Sequence, residues 1–197
     1  MKRTLSTLIA MLAVCLSWGQ VSVGTRDNQY FYGSYQYKGW NVKLEESVYA
    51  EKIGFQYLRL YGGYTLFNPT WSISAQPYFG STYNGDYQSM GCMLEGKYTL
   101  EDRYHFAVVV NPHYDTGYKY KTNFKLSAGM DLTHQIGIKA EYQEMPIYRM
   151  KEKRVKGGFI FKTGNLSVSP QLSIPAEGAI NNIRCIVDFH YCFKSYF

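Results

Sequence analysis

The chain has little cysteine, little charge and no long apolar stretch after its first residues. Four of its 197 residues are cysteine and 18% are charged, where about a quarter is usual. Three cysteines follow the N-terminal segment, and an odd number without paired spacing does not make a disulfide framework. No later stretch approaches the ~20 apolar residues of a transmembrane helix, and no basic cluster alternates with aromatic residues. These absences exclude a disulfide-rich scaffold and a helical membrane protein, and they argue against nucleic-acid binding.

Motifs for cofactor or metal chemistry are also missing. The four histidines have no metal-ligand spacing, and no Cys-x-x-Cys pair occurs. The glycine pairs lie inside alternating segments rather than in a phosphate-binding loop. We therefore predict a protein without a cofactor and without a metal.

The first 19 residues have the pattern of an export signal. Two basic residues precede an apolar run over residues 5–14, which is too short to span a bilayer as a helix. Small residues at Ser17 and Gly19 favour cleavage after Gly19. A lipoprotein signal at Cys15 is the less favoured alternative, because a branched valine precedes that cysteine. The sequence thus predicts a signal peptide over residues 1–19.

The mature chain alternates apolar and polar residues, and helical periodicity is nearly absent. Residues 123–132, for example, alternate Asn, Lys, Ser, Gly and Asp with Phe, Leu, Ala, Met and Leu. Such alternation predicts strands with one apolar and one polar face. We predict about ten strands, over residues 40–50, 55–67, 71–80, 87–100, 104–112, 122–132, 135–143, 155–163, 166–174 and 182–197.

The predicted connections alternate in length. Tight turns at residues 68–70, 101–103, 133–134 and 164–165 alternate with longer polar loops at 81–86, 113–121, 144–154 and 175–181. Outer-membrane barrels have this form, with short periplasmic turns and longer outside loops. The fold prediction is therefore all-β, a closed antiparallel up-and-down transmembrane β-barrel over residues 40–197, with about ten strands and eight or twelve as alternatives. Residues 20–39 are predicted to be a periplasmic lead-in or an extension of strand one.

The apolar face of the predicted strands is expected to point outward into lipid. It holds one charge, Glu46, and a lysine or arginine near mid-bilayer would cost about 2–4 kcal/mol. A soluble lipocalin-like barrel would crowd these side chains into a narrow interior, and a two-sheet sandwich would not need alternating loop lengths. The inner face then carries charges that pair across the lumen: Lys43, Arg59, Lys97, Lys125, Lys139, Lys156, Lys162, Arg184 and Lys194 with Glu45, Glu95, Asp131, Glu141 and Asp188, beside His105 and His190.

Two prolines lie inside predicted strands. A closed barrel has no edge strand to receive Pro77 or Pro170. We therefore expect a bulge or a missing ladder bond at each of them.

Aromatic residues lie near the predicted strand ends, as in the girdles of a membrane barrel. One group flanks the turns: Phe67, Trp71, Tyr98 and Tyr104. Another group flanks the loops: Phe55, Tyr83, Tyr87, Tyr114, Tyr118, Tyr142 and Tyr148. The two groups indicate that the strands cross a bilayer.

The last predicted strand carries a family resemblance. Its apolar face runs up to a terminal phenylalanine with one break at Ser195: Val187, Phe189, Tyr191, Phe193 and Phe197. This pattern resembles the C-terminal sorting signal of Gram-negative outer-membrane β-barrels, which implies insertion by the barrel-assembly machinery. With the export signal and the alternation, nearly the whole mature chain resembles the small porin-like barrels. Gln20 after the cleavage site also resembles exported proteins of Bacteroides-like bacteria.

Asp188 and His190 are weak candidates for catalysis. They lie on one face of the last strand, and an Asp–His pair can activate water. The pair resembles the Asp-x-His of omptin proteases, but no second acidic pair occurs here. His190 and Cys192 resemble the His-x-Ser of outer-membrane lipid A deacylases, with cysteine replacing serine. Because ionic networks also gather such residues, we predict no catalytic residue and no enzyme activity.

The sequence therefore predicts an integral outer-membrane protein of a Gram-negative bacterium with a structural, adhesive or solute-binding role through its extracellular loops. A narrow, charged lumen argues against a general diffusion porin, since open channels have about 16–18 strands. The expected partners are outer-membrane lipid and lipopolysaccharide, whose phosphates could meet the basic loop at residues 148–154. The alternatives are an outer-membrane hydrolase and a secreted soluble barrel that binds an apolar ligand.

Overall fold

Twelve antiparallel strands close into one barrel in the computed structural model, which describes residues 19–47, 56–117, 119–144, 153–177 and 182–193. Each strand pairs with its sequence neighbours, and the last pairs with the first. The strands are β1 (Gln20–Arg26), β2 (Tyr30–Tyr37), β3 (Trp40–Ser47), β4 (Tyr57–Phe67), β5 (Trp71–Thr82), β6 (Gln88–Leu100), β7 (Tyr104–Asp115), β8 (Lys119–Asp131), β9 (Ile136–Glu144), β10 (Lys153–Thr163), β11 (Leu166–Pro175) and β12 (Arg184–Phe193). The described ranges contain no helix of the length and apolarity that a membrane span requires.

The closed antiparallel up-and-down barrel is confirmed, but it has twelve strands rather than ten. The two additional strands come from residues 20–39, which form β1 and β2. Alternation failed to indicate them because both faces are aromatic there. Tyr30 and Tyr32 point into the barrel, whereas Phe31 between them is half exposed on the outside. Residues 1–18 lie outside the described residues, so the signal peptide stays a prediction.

The two ends of the barrel differ in their connections. At one end, here called the turn end, the strands are joined at residues 38–39, 68–70, 101–103, 132–135 and 164–165. At the other, the loop end, the connections are residues 27–29, 48–56, 83–87, 116–118, 145–152 and 176–183. The loop predicted over residues 113–121 is shorter than expected, because β7 and β8 stay paired out to Asp115 and Lys119. Four of the six loop-end connections are still longer than any connection at the turn end.

The strands alternate between an apolar outer face and a polar inner face. Outward side chains are well exposed, for example Ile73 at 57% and Phe79 at 51%. Inward side chains are buried although they are polar or charged: Glu45, Arg59, Ser74, Asn111, Asn123, Glu141, Gln143, Lys156, Gln171 and Ser173. This burial confirms that the apolar face points outward and places Glu45, Arg59, Glu141 and Lys156 of the predicted ionic residues in the lumen. Lys194 and the end of the predicted sorting signal, residues 194–197, lie outside the described residues.

Each proline inside a strand interrupts the hydrogen-bonded ladder beside it. The register of neighbouring strands omits two residue pairs next to Pro77 and two next to Pro170, because proline has no N–H to donate. Pro112 leaves the same gap between β7 and β6. The missing ladder bonds expected at Pro77 and Pro170 are therefore confirmed.

The seam between β1 and β12 has the shortest ladder in the described barrel. Four residue pairs join these strands, against seven or more at every other junction. Toward the loop end, side chains replace the missing backbone partners. The N–H of Phe189 donates to Thr25 Oγ1 at 3.0 Å, and the N–H of Val187 donates to Asn28 Oδ1 at 3.0 Å. Closure of the barrel therefore depends in part on the turn after β1.

The substitution Asn28→Ala is expected to destabilise the barrel by about 2 kcal/mol. It removes the bond to Val187 and the donation from Asn28 Nδ2 to the Cys185 carbonyl at 3.3 Å. It also puts alanine at a φ of 54°, a left-handed conformation that asparagine tolerates better. Urea unfolding, followed by heat-modifiable migration on a denaturing gel, measures the loss.

The matched control for this prediction is Asn84→Ala. Asn84 is exposed at the loop end, and among the described residues its side chain bonds only to nearby Asp86. It is expected to change the free energy of unfolding by less than about 0.5 kcal/mol. An equal loss in both variants would contradict a special role for the seam.

Candidate functional site: the barrel lumen

The lumen opens at the turn end into a cavity of about 600 Å³, here called the vestibule. A row of in-register residues crosses its wall from β4 to β9: Thr65, Ser74, Glu95, Val109, Lys125 and Gln143. Because strands are tilted in a closed barrel, this row begins near the turn end at Thr65. It ends deep in the lumen at Gln143, which is 5% exposed.

The vestibule wall carries more cations than carboxylates. Among the described residues, its charged side chains are Arg26, Lys43, Lys97, Lys125 and a single acid, Glu95. Lys97 pairs with Glu95 at 3.0 Å between Nζ and Oε2. The other three cations reach carboxylates that lie deeper in the lumen. The surface that the vestibule offers to a solute is therefore positively charged.

Two buried clusters fill the lumen between the vestibule and the loop end, and together we call them the plug. Every member is at most 6% exposed: Asp27, Tyr30, Glu45, Tyr57, Arg59, Tyr61, Glu141, Arg154 and Lys156. Buried charges are costly unless they are paired and hydrogen-bonded. Contacts among these residues, and with less buried cations, a serine and a backbone carbonyl around them, supply that pairing.

Glu45 is the centre of the first cluster. Its carboxylate accepts from Arg26 Nε at 2.7 Å and from the Tyr61 hydroxyl at 2.9 Å, and it lies 3.3 Å from Lys43 Nζ. Arg59, which is in register with Glu45, donates to the Tyr61 hydroxyl at 2.8 Å. One carboxylate thus holds two cations directly and a third through tyrosine.

Aromatic rings pack around the Arg59 guanidinium. Its central carbon lies 4.9 Å from the ring centroids of both Tyr57 and Tyr78, within the range of cation–π attraction. Tyr57 is fully buried, bonds to Ser89 and meets the ring of Tyr87 edge-on at 5.6 Å. Burial raises the pKa of the Tyr87 hydroxyl, so that ring stays neutral at physiological pH. The rings lock the arginine across the lumen.

Glu141 is the centre of the second cluster. Three lysines surround its carboxylate, with Nζ–O distances of 2.7 Å to Lys139, 3.0 Å to Lys125 and 3.4 Å to Lys156. Lys156 also bonds to Asp27, a residue of the turn after β1 that lies 129 positions earlier. The turn of the β1–β2 hairpin therefore reaches into the lumen, where Asp27 bonds to Lys156 on β10.

Arg154 does not extend from a loop, as the basic segment 148–154 predicts. It belongs to β10, points inward and is 1% exposed. Its guanidinium donates to Ser173 Oγ at 2.6 Å and to the Asn182 carbonyl at 2.8 Å, which anchors the β11–β12 connection. Lys153 is exposed and pairs with Glu177 at 2.8 Å. Residues 148–152 lie outside the described residues, so their contact with lipopolysaccharide stays a prediction.

A third ionic group lies at the turn end of the lumen. Asp131 accepts from Lys162 Nζ at 2.8 Å and bonds to His105 Nε2 at 3.1 Å. The side chains of Lys162 and His105 are about two-fifths exposed, so water weakens these pairs. This group fits the predicted pairing of lumen charges without closing the barrel.

Asp188 and His190 point into the lumen but have separate partners. His190 Nδ1 bonds to the Tyr32 hydroxyl at 2.9 Å, and Asp188 accepts from the Asn28 N–H at 3.4 Å. Cys192 Sγ accepts from Gln20 Nε2. Among the described residues, no contact joins Asp188 to His190. The hydrogen bond that a general-base pair needs is therefore not formed between them. No group of three metal-ligating side chains occurs among the described residues either.

Two aromatic residues that were predicted to belong to the girdles lie on the lumen side of the barrel. Phe67 lines the vestibule at its mouth, and Tyr87 is buried at the loop end of the lumen. Trp71 and Tyr98 at the turn end and Tyr114 at the loop end are 42–46% exposed, as girdle residues should be. Phe55, Tyr118 and Tyr148 lie outside the described residues.

Four of the lumen residues that the sequence analysis missed lie in residues 20–39, outside the ten predicted strands. They are Arg26, Asp27, Tyr30 and Tyr32. The sequence did contain a signal for a strand here. Every second residue from Tyr30 to Gln36 has a side chain that can form hydrogen bonds, whereas not all of the residues between them do. Tyrosine hid this pattern because its ring suits lipid and its hydroxyl suits a polar lumen.

The barrel resembles solved porin structures. It superposes on a KdgM porin in complex with disordered oligogalacturonate, with a TM-score of 0.66 and 13% identity over 89% of this chain and 99% of that one. For the outer-membrane protein Omp33 of Acinetobacter baumannii, the TM-score is 0.55 and the identity 11% over 89% of this chain and 96% of that one. For the NanC porin, the TM-score is 0.51 and the identity 8% over 88% of this chain and 96% of that one. No protein-family model and no curated protein matches the sequence. The chain therefore has a porin-like barrel fold.

Proposed function

We propose that the chain is a non-enzymatic, integral outer-membrane barrel whose lumen admits small anionic solutes, with the plug as its permeability barrier. The observation that carries this proposal is the vestibule, a cavity of about 600 Å³ whose wall, in the part of the chain that the structure describes, carries four basic side chains and one acid. A cleft lined by charges of one sign concentrates solutes of the opposite sign. The cavity therefore favours anions over cations.

The outer face supports a place in the outer membrane. Large apolar side chains are exposed around the barrel, among them Leu60, Ile73, Phe106, Phe124 and Phe159. Such a surface needs lipid contact to avoid the cost of exposing it to water. The predicted export signal ending at Gly19 and the predicted C-terminal sorting signal agree with insertion by the barrel-assembly machinery. The extracellular face would then be the loop end.

The nature of the solute follows from the wall chemistry. Lysine and arginine are joined there by serine, threonine, asparagine and glutamine side chains, which bind hydroxyl groups. The KdgM structure was solved with oligogalacturonate, a carboxylated sugar chain. A small carboxylated sugar matches both the charge and the hydrogen-bonding groups of this vestibule.

Reconstituted channels test the proposal. The purified full-length protein in a planar lipid bilayer under a salt gradient is expected to show a reversal potential of the sign that anion preference gives. Replacing Lys43 and Lys125 with glutamine should lower the anion-to-cation permeability ratio by several-fold. The matched control is Lys153→Gln, since Lys153 pairs with Glu177 outside the lumen. Cation preference, or recovery of the native protein in the soluble periplasm, would contradict the proposal.

A further inference from the structure

One aromatic ring at the turn end faces the vestibule instead of lipid. Phe67 is the last residue of β4, lies on the inner face of that strand and lines the mouth of the cavity. It is 69% exposed, whereas the other exposed large apolar side chains of the described strands point outward. Keeping an apolar ring in water is unfavourable. A ligand that covers this ring therefore gains free energy by removing it from water.

The strand register explains why the ring is uncovered. The β2–β3 turn ends beside Thr65, whose N–H donates to the Gly39 carbonyl at 2.7 Å. Phe67 therefore projects two residues past this hairpin, and β3 gives it no partner. On the β5 side it pairs with Ser72, whose side chain is too small to shield a phenyl ring. A solute that enters the vestibule can reach the ring directly.

Uncharged hydrogen-bonding groups lie on the same part of the vestibule wall. The side chains of Gln36 and Ser72 line the cavity, and neither has a hydrogen-bond partner among the described residues. Asn41, which is in register with Gln36, donates to Thr65 Oγ1 at 3.2 Å. Amide and hydroxyl groups supply both donors and acceptors, which is what the hydroxyl groups of a sugar require. The wall beside Phe67 therefore combines an apolar ring with neutral polar groups.

We infer that Phe67 is a stacking platform for the ring of a pyranose sugar at the mouth of the vestibule. One face of a pyranose ring can present mainly C–H groups, which pack flat against an aromatic ring. The hydroxyl groups at the edge of the sugar then meet side chains such as Gln36 and Ser72. The platform rests on the proposed function, because the sugar must enter the vestibule. It adds a selection for ring shape, which the positive charge of the wall does not provide.

Binding to the full-length protein in detergent micelles tests the platform. Galacturonate is a pyranose carboxylate, and galactonate is an open-chain sugar acid of the same charge. Isothermal titration is expected to show saturable binding of galacturonate, about threefold to tenfold tighter than that of galactonate, because only the pyranose offers a flat apolar face. Phe67→Leu should abolish this preference and leave the affinity for galactonate unchanged, since leucine has no aromatic face.

Two further variants separate stacking from folding. Phe67→Trp retains an aromatic face and is expected to retain the preference for galacturonate. Phe106→Leu is the matched control, since Phe106 lies on the outer face of β7 at 46% exposure, and it should leave both affinities unchanged. Equal affinity of the wild type for the two acids, or an equal loss for both in Phe67→Leu, would overturn the platform even if the bilayer measurement gives anion preference. Absence of anion preference would instead overturn the proposed function.

Discussion

Replacing Glu45 with glutamine is expected to destabilise the barrel by about 3 kcal/mol. The carboxylate is 1% exposed and bonds to Arg26, Lys43 and Tyr61. Glutamine keeps the size of the side chain but removes the charge, so two cations lose their counter-ion inside the lumen. Removing one partner of a buried ion pair leaves an uncompensated charge, which is why the loss is large. Urea unfolding, measured as loss of heat-modifiable migration, gives the change in free energy.

The control for this prediction is Glu95→Gln. Glu95 also pairs with a lysine in the lumen, but the side chains of Lys97 and Glu95 are 54% and 22% exposed. A pair of this kind contributes about 0–1 kcal/mol, so the control should unfold close to wild type. Equal losses of stability in the two variants would contradict the argument that a buried ion pair contributes more to stability than an exposed one.

Loss of the Glu45 charge should also change conduction. Repulsion among Arg26, Lys43 and Arg59 then pushes apart side chains that fill the lumen. We expect a higher single-channel conductance than in the wild type, whereas Glu95→Gln should keep the wild-type conductance. A destabilised variant with wild-type conductance would show that this cluster supports the barrel without obstructing it.

Replacing Gly63 with alanine is expected to destabilise the barrel by about 1–3 kcal/mol. A Cβ at Gly63 would lie 2.2 Å from the carbonyl oxygen of Ala75 and 2.8 Å from Cα of Gln76. Both atoms belong to the backbone of β5 beside Pro77, so the clash cannot be relieved by moving a flexible side chain. The pair Gly63–Gln76 is also one of the two that the register of β4 and β5 omits beside the proline.

The adjacent glycine supplies the control. A Cβ at Gly62 meets nothing within 4 Å, so Gly62→Ala should leave stability unchanged or raise it by about 0.4–1 kcal/mol, because alanine restricts the unfolded chain. The same contrast is expected elsewhere in the barrel. At Gly158 a Cβ would lie 2.1 Å from the Pro170 carbonyl oxygen, whereas Gly96 has open space. Opposite signs for neighbouring substitutions are the expected result, and equal losses at Gly62 and Gly63 would contradict the steric argument.

Most of the fold could be predicted from local pattern. The period of two separated inward from outward residues in β3 to β12, because each face meets a different solvent. Proline chemistry located the interruptions at Pro77 and Pro170. The pattern failed over residues 20–39, where tyrosine occurs on both faces. It also failed at residues 148–154, where a run of basic residues suggested a loop although Arg154 is part of β10.

The candidate site was predictable only in composition. The alternation assigned Glu45, Arg59, Glu141 and Lys156 to the inner face, but it did not say which of them meet. Side-chain direction depends on a residue's own strand, and the sequence carries that information in each short segment. Partner identity depends on the register between strands and on closure of β1 against β12.

For most residues of β3 to β12, the sequence by itself determined which side chains face out and which face the lumen, because a one-residue change along a strand reverses its face. Only the tertiary structure decided that Asp27 meets Lys156 across 129 residues, that one glutamate gathers three lysines, and that the lumen is a vestibule at one end and a plug at the other. These contacts are set by strand number, tilt and register, which are properties of the closed barrel and not of any one strand.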